Sequence, residues 1–279
     1  MLKPTLQRIL ATAKQLWRQP GTLAIFAALY ALLLATLYAF AVVREATLGQ
    51  VLLTVLLMLA ASAEFLILQA AIVANAENKR IDWPQVPRHS YKLATVTLPV
   101  VIFSVAIFLL LNRWQSSFPA PAASPQALHW PTLLFSTVRW LFFGIALPLA
   151  TIHLWLQTLG QTGTPSATGK KTSILRRGRM VLSSAFRPES VFTYTIGLVL
   201  FALVPYAMLF VQLPFNGART DFPILIARLV LVFAATLFGW VLTITAMAQE
   251  VLEFETDIVD GVDAAVSFKL EALRRSQFV

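Results

Sequence analysis

The stretch "LAASAEFLILQAAIVANAENKR", Leu59–Arg80, holds one carboxylate, Glu64, in a run that is otherwise apolar until its last few residues. The run reaches back to about residue 50 and ends at 75, so it exceeds the roughly 20 apolar residues that carry a helix across a bilayer. It lacks the period-2 alternation of a barrel strand. The polar end "NAENKR" then reads as the exit from the hydrocarbon.

Five more runs have the same character, and the six fall near 22–43, 50–75, 93–112, 131–157, 190–213 and 223–249. The composition agrees: 58% of the 279 residues are hydrophobic and only 13% charged, about half the charge of a soluble domain. The predicted fold is all-α, a polytopic bundle of six transmembrane helices. Residues 1–20 form an interfacial amphipathic helix, 21–252 the transmembrane domain, and 253–279 an acidic then amphipathic tail.

The Lys and Arg residues sort by side. Lys3, Arg8, Lys14 and Arg18 precede the first span; Lys79, Arg80, Arg88 and Lys92 follow the second. Lys170, Lys171, Arg176, Arg177, Arg179 and Arg187 follow the fourth, and Lys269, Arg274 and Arg275 lie in the tail. The other connections hold only Arg44, Arg113 and Arg219. This asymmetry predicts both termini in the cytoplasm and a multi-pass protein of the inner (plasma) membrane. The net charge of +9 therefore belongs beside anionic lipid, and nucleic acid is not an expected partner. No cleavable signal peptide is evident, because charges interrupt residues 1–20 throughout. Trp114 and Trp130 flank the longest outer loop and read as interface anchors.

Two inner segments have helical amphipathicity. In "TLQRILATAKQLWRQP", Leu6, Ile9, Leu10, Ala13, Leu16 and Trp17 form a stripe, with Gln7, Arg8, Lys14 and Arg18 away from it. In "TSILRRGRMVLSSAFRPE", Ile174, Leu175, Val181, Leu182, Ala185 and Phe186 repeat the pattern. Such helices either lie in the headgroup plane, with Arg8, Lys14, Arg18, Arg176, Arg177 and Arg179 toward lipid phosphates, or pack on the bundle or on a partner. "LWRQP" and "AFRPES" each place an aromatic, an Arg and a Pro before a span, and "SYKLATVTLP" is a fainter third copy. This suggests three parallel units, each a basic lead-in and a helical hairpin.

These lead-ins, with the polar helix ends "VANAENKR" and "MAQEVLEFE", resemble the six-helix membrane domain of bacterial glycerophosphodiester phosphodiesterases and its stand-alone relatives. The resemblance implies an architecture and no mechanism, since no catalytic phosphodiesterase motif occurs in these residues.

Few residues suggest chemistry. Glu64 lies about 14 residues into its span, roughly 20 Å deep. An ionised group at helix centre costs on the order of 3 kcal/mol to insert, so it should be neutral, paired or facing water. Arg139 and Arg228 enter from the same side, at roughly 13 and 8 Å by helical rise. Arg139 is the expected partner of Glu64, and Arg228 can snorkel outward. Gln69 and Asn75 follow Glu64, and small Ala61, Ser62 and Ala63 permit close helix approach. His153 is a single intramembrane imidazole; His89 and His129 show no ligand spacing. Pro99, Pro148 and Pro205 predict kinks. The acidic tail from Glu250 to Asp263 does not follow calcium-loop spacing.

With no cysteine, disulfides and thiolate chemistry are excluded. No nucleotide, zincin or serine-nucleophile motif occurs. The reading is a non-enzymatic membrane protein without cofactor or metal. Its expected partners are the bilayer, anionic lipids and other membrane proteins or copies of itself. Two functions remain open: a structural or accessory subunit, or a small transporter or channel using Glu64 as a coupling carboxylate.

Overall fold

A computed structural model describes residues 2–44, 47–78, 81–118, 130–160, 181–210 and 218–276, with side chains at 3, 5–44, 47–76, 81–118, 130–159, 181–210 and 222–251. The described residues are helical, with no strand. The helices are α1 (Leu2–Trp17), α2 (Pro20–Val42), α3 (Leu48–Asn78), α4 (Val86–Ser116), α5 (Trp130–Leu141), α6 (Leu147–Gly160), α7 (Pro188–Leu198), α8 (Val204–Phe210) and α9 (Ala218–Ser276). A π-helical turn, Phe142–Ala146, joins α5 to α6, and another, Val199–Leu203, joins α7 to α8.

Six segments are long and apolar enough to cross a membrane: Pro20–Val42, Leu48–Ala76, Val86–Ser116, Trp130–Leu159, Pro188–Phe210 and Phe222–Val251. The protein is thus a multi-pass, all-α membrane bundle. The third span starts earlier than its hydropathy suggests, because Pro87 at the helix start fixes a helical φ where no N–H is needed. Tyr91 and Lys92 consequently lie inside α4, so the third lead-in is not a separate helix.

The spans pack in chain order around the bundle, and α9 touches α2, α3, α6, α7 and α8. The core is one-sided. At the end that carries α1, residues 68–75 of α3 and 241–248 of α9 are all buried. They are joined there by Leu149, Ile152, Trp155 and Leu156 of α6 and by Leu93 of α4. Toward the opposite end, no residue of 48–60 in α3 or 222–236 in α9 is buried. Large side chains such as Leu52, Ile102, Phe103 and Val230 face outward there. Such a surface is stable only against hydrocarbon.

Two glycines set the tightest contact. A Cβ on Gly197 would overlap Thr243 Oγ1 and lie 2.7 Å from its Cγ2. A Cβ on Gly239 would lie 2.9 Å from the backbone nitrogen of Phe201. Gly239 and Thr243 are one turn apart on α9, so a small-residue face lets α7 and its π turn approach closely.

At 3.6 residues per turn, helix α1 has three distinct faces. Thr5, Ile9, Thr12 and Leu16 are buried against the bundle; Leu6, Leu10 and Trp17 are exposed and apolar; Lys3, Gln7, Lys14 and the following Arg18 are exposed and polar. The apolar stripe, expected either on lipid or packed on the bundle or a partner, is divided between the two. Half of it packs on α9, α7 and α2, and half remains exposed.

Of the second amphipathic segment, only residues 181–187 are described. Val181 and Ala185 are buried and Leu182 is exposed. The lipid-facing residues expected there, Arg176, Arg177 and Arg179, lie outside the described residues, as do Lys170, Lys171 and His129. In the tail, α9 continues unbroken past Gly261 to Ser276, so the acidic stretch and the amphipathic stretch after it form one helix.

Candidate functional site

Glu64 does not pair with Arg139. Its Oε1 accepts a hydrogen bond from Thr36 Oγ1 of α2 at 3.0 Å, and its Oε2 is buried without a hydrogen-bond partner. Arg139 turns instead to α4, where Nη2 donates to Asn112 Oδ1 at 2.5 Å and to Gln115 Oε1 at 2.6 Å. Its guanidinium also lies 5.7 Å from the centroid of the Phe108 ring, a cation–π distance. The reason is depth. Arg139 is nine residues into its span and Glu64 sixteen into its own, a difference of about 10 Å along the helices. Phe108, Asn112 and Gln115 recur at helical spacing on the adjoining face of α4, at the level of Arg139. Arg228 is half-buried in the opposite-end half of α9.

A polar seam crosses the bundle where the buried core begins. The Tyr194 hydroxyl donates to the Gly144 carbonyl at 2.9 Å. Gly144 is the residue four before Pro148, whose ring supplies no N–H to that carbonyl. The Tyr194 ring meets Phe201 at 6.2 Å, and Phe201 meets Trp240 at 5.1 Å, both edge-on. Trp240 Nε1 donates to Gln69 Oε1 at 2.9 Å. One chain of contacts thus joins four spans.

Beside this seam lies a partly open cavity of about 220 Å³, walled by Tyr30 and Leu33 of α2, Phe65 and Gln69 of α3, and Leu237 and Trp240 of α9. Its walls are almost wholly apolar. Its polar lining residues include Thr236 of α9 and Gln69, which is fully buried and whose Nε2 has no hydrogen-bond partner.

A second polar group gathers at the α1 end. Glu250 Oε1 accepts from Ser190 Oγ at 2.5 Å, and Oε2 lies 3.9 Å from Arg8 Nη1. Thr12 Oγ1 donates to Gln249 Oε1 at 2.8 Å, binding α1 to α9. Glu250 is buried, although the sequence placed it at the start of a solvated acidic tail. The docked α1 covers it. His153 is buried in α6 with neither ring nitrogen hydrogen-bonded, and Asn75 Oδ1 and Thr193 Oγ1 are also buried and unpartnered. Lys14 and Arg18 are exposed.

Among the described residues, no three of His, Asp and Glu gather closely enough to hold a metal ion. Apart from the Arg8–Glu250 ion pair, the polar contacts that sequence reading missed share one feature: each partner is a neutral residue. Thr36, Asn112, Gln115, Tyr194, Thr97 (which accepts from Trp155 Nε1 at 2.8 Å) and Ser190 all lie on neighbouring spans. A search for opposite charges overlooks them. Compared with family models, curated proteins and solved structures, the chain matches none.

Proposed function

We propose that the protein is a non-catalytic structural or accessory component of a membrane complex or envelope, in the inner membrane with both termini cytoplasmic. The observation that carries this reading is where the buried polarity goes. Glu64, Arg139, Trp155, Tyr194, Trp240 and Glu250 each tie one helix to another. They do not converge on a common chamber where a reaction or an ion path could be built. Lys3, Lys14 and Arg18 on the exposed face of α1 suit anionic lipid headgroups, and Arg8 beside Glu250 belongs to the docking contact rather than to that face. The uncovered apolar faces of the opposite-end half offer surfaces to other membrane proteins or to a second copy.

A second reading, a small transporter, is favoured by one atom. Glu64 Oε2 is buried and unpartnered, as a coupling carboxylate's acceptor would be. Reconstitution into vesicles carrying a pH-sensitive dye separates the two. A structural component shows no proton flux above empty vesicles. Its Glu64→Gln variant, which can still accept from Thr36, keeps the wild-type thermal midpoint and co-purifying proteins. A pH-driven flux that Glu64→Gln abolishes while the fold persists overturns the structural reading in favour of transport.

A further inference from the structure

We propose that Arg139 is the phosphate-binding group of a lipid site at the end of the bundle opposite α1, and that its ligand is an anionic phospholipid. This goes beyond the structural role proposed above. Three observations lead there. The first is the state of the guanidinium. Nη2 makes both hydrogen bonds, to Asn112 and Gln115. Nε is enclosed without a partner, whereas Nη1 makes no hydrogen bond and stays open at the surface of a half-buried side chain. The two amides and the Phe108 ring hold the fork in place, and one amino group is left to bind. The second is charge. Asn112 and Gln115 orient the cation without neutralising it. Between Asp82 and Glu189 the sequence holds no Asp or Glu. Helices α4 and α5 and the connection joining them all lie inside that interval, so none of them supplies a counter-charge. A partly desolvated cation without a counter-ion favours an anionic ligand over a neutral one. The planar guanidinium fork matches phosphate oxygens in particular.

The third is depth, which makes that anion a lipid headgroup. The α4 span, Val86–Ser116, has 31 residues and is about 46 Å long, while the hydrocarbon layer is about 30 Å thick, which leaves about 8 Å at each end. Asn112 and Gln115 lie four residues and one residue before Ser116, about 6 and 2 Å of helical rise, and so stand just outside the hydrocarbon edge. Counted along the other helix, Arg139 is nine residues into a span of 30, which puts its Cα about 6 Å inside the same edge. A long arginine side chain crosses that gap. Both counts bring the guanidinium to the headgroup boundary. The surrounding aromatics agree. Trp114 and Trp130 are exposed at this end, as interfacial anchors are. The Trp114 and Phe118 rings meet Phe135, one turn before Arg139, at 6.1 and 5.6 Å.

The test uses the full chain with a single cysteine at Ser116, the last residue of α4, carrying a fluorophore; no native cysteine competes. The protein is placed in phosphatidylcholine vesicles doped with either phosphatidylglycerol or phosphatidylcholine bearing a nitroxide at the fifth acyl carbon. Such a probe quenches only from the leaflet that Ser116 faces. The phosphatidylglycerol probe should associate about fivefold more strongly than the phosphatidylcholine probe, the ratio expected for one cation beside an anionic headgroup. Arg139→Gln should bring the ratio to about one, and Arg113→Gln, at an exposed cation of the same end, should leave it. Equal quenching by the two probes with Arg139 in place overturns the proposal, whether or not the variants fold. An equal loss in Arg113→Gln would mean diffuse charge attraction and overturns the site. Millimolar inorganic phosphate at constant ionic strength should not change the ratio. Its collapse there would assign the guanidinium to free anions and overturns the lipid assignment.

Discussion

The hydroxyl of Tyr194 occupies the carbonyl of Gly144 that Pro148 leaves without its helical donor. Proline within a helix removes an N–H and crowds the carbonyl four residues back. Here the preceding turn widens to the π form, with Leu147 N–H bonding Phe142 O, and a side chain from the next span supplies the missing donor. The second π turn also precedes a proline, Pro205, by the same offset. In both spans the widened turn accommodates the proline, and it also brings residues of the seam into register.

Tyr194→Phe should therefore destabilise the bundle by about 1–3 kcal/mol, the cost of a buried polar group left unpaired. The same substitution in a Pro148→Ala background should cost clearly less, because the restored N–H at 148 can bond Gly144. Thermal unfolding in detergent, read as a double-mutant cycle, measures the coupling. Additive effects would mean that the hydroxyl does not replace the proline's missing bond.

The two glycines at the contact between α9 and the span of α7, Gly197 against Thr243 and Gly239 against Phe201, should respond differently to the same methyl group. Gly197→Ala meets the Thr243 side chain, so Thr243→Ala should partly rescue it; rescue stays partial because the Thr243 Cβ remains 2.9 Å away. Gly239→Ala meets the backbone at Phe201 and Leu200, which no side-chain truncation can relieve. Overpacking of this kind costs about 1–3 kcal/mol, visible as a lower unfolding midpoint. Equal rescue at both positions would contradict the geometry.

At the α1 end, Ser190→Ala removes the hydroxyl bound to Glu250 and should lower stability by about 1–3 kcal/mol. Glu250→Gln, which keeps an acceptor for Ser190 and needs less desolvation, should cost less than Ser190→Ala. Chemical unfolding of the two variants in one detergent gives the order. The reverse order would show that the Arg8 contact at 3.9 Å outweighs the hydroxyl.

The absence of native cysteine makes labelling of α1 direct. Single cysteines at Lys14 and Lys3 should react with a water-soluble maleimide, and cysteines at Thr12 and Leu16 should not. Spin labels at Leu6 and Leu10 should be relaxed most by membrane-dissolved oxygen. A cysteine at Lys14 and one at Trp114 should be reached from opposite faces of sealed vesicles. Uniform reactivity along α1 would mean that it is not docked.

The sequence made the six spans legible because hydropathy over twenty residues is a property of the segment alone. Helix α1 was legible as an amphipathic stripe. Its division into a packed and an exposed half was not, because both faces are apolar and only the neighbouring Thr5 and Thr12 distinguish them. Glu64 and Arg139, singled out in the sequence, lie partly buried within their spans. Their pairing failed because charge complementarity carries no information about depth or about which spans adjoin. Asn112 and Gln115 on α4 satisfied Arg139, and a threonine sufficed for Glu64. Glu250 was hidden by the reverse error: its acidic neighbourhood reads as solvent-exposed, and burial comes from α1 folding over it.

The one-sided core has a mechanical corollary. Lipids of one leaflet would meet a solid plug with a closed perimeter. Those of the other would meet helices without a shared interior, whose spacing the acyl chains themselves help to set. Chain length and lateral pressure in that second leaflet would then act on the bundle's cross-section.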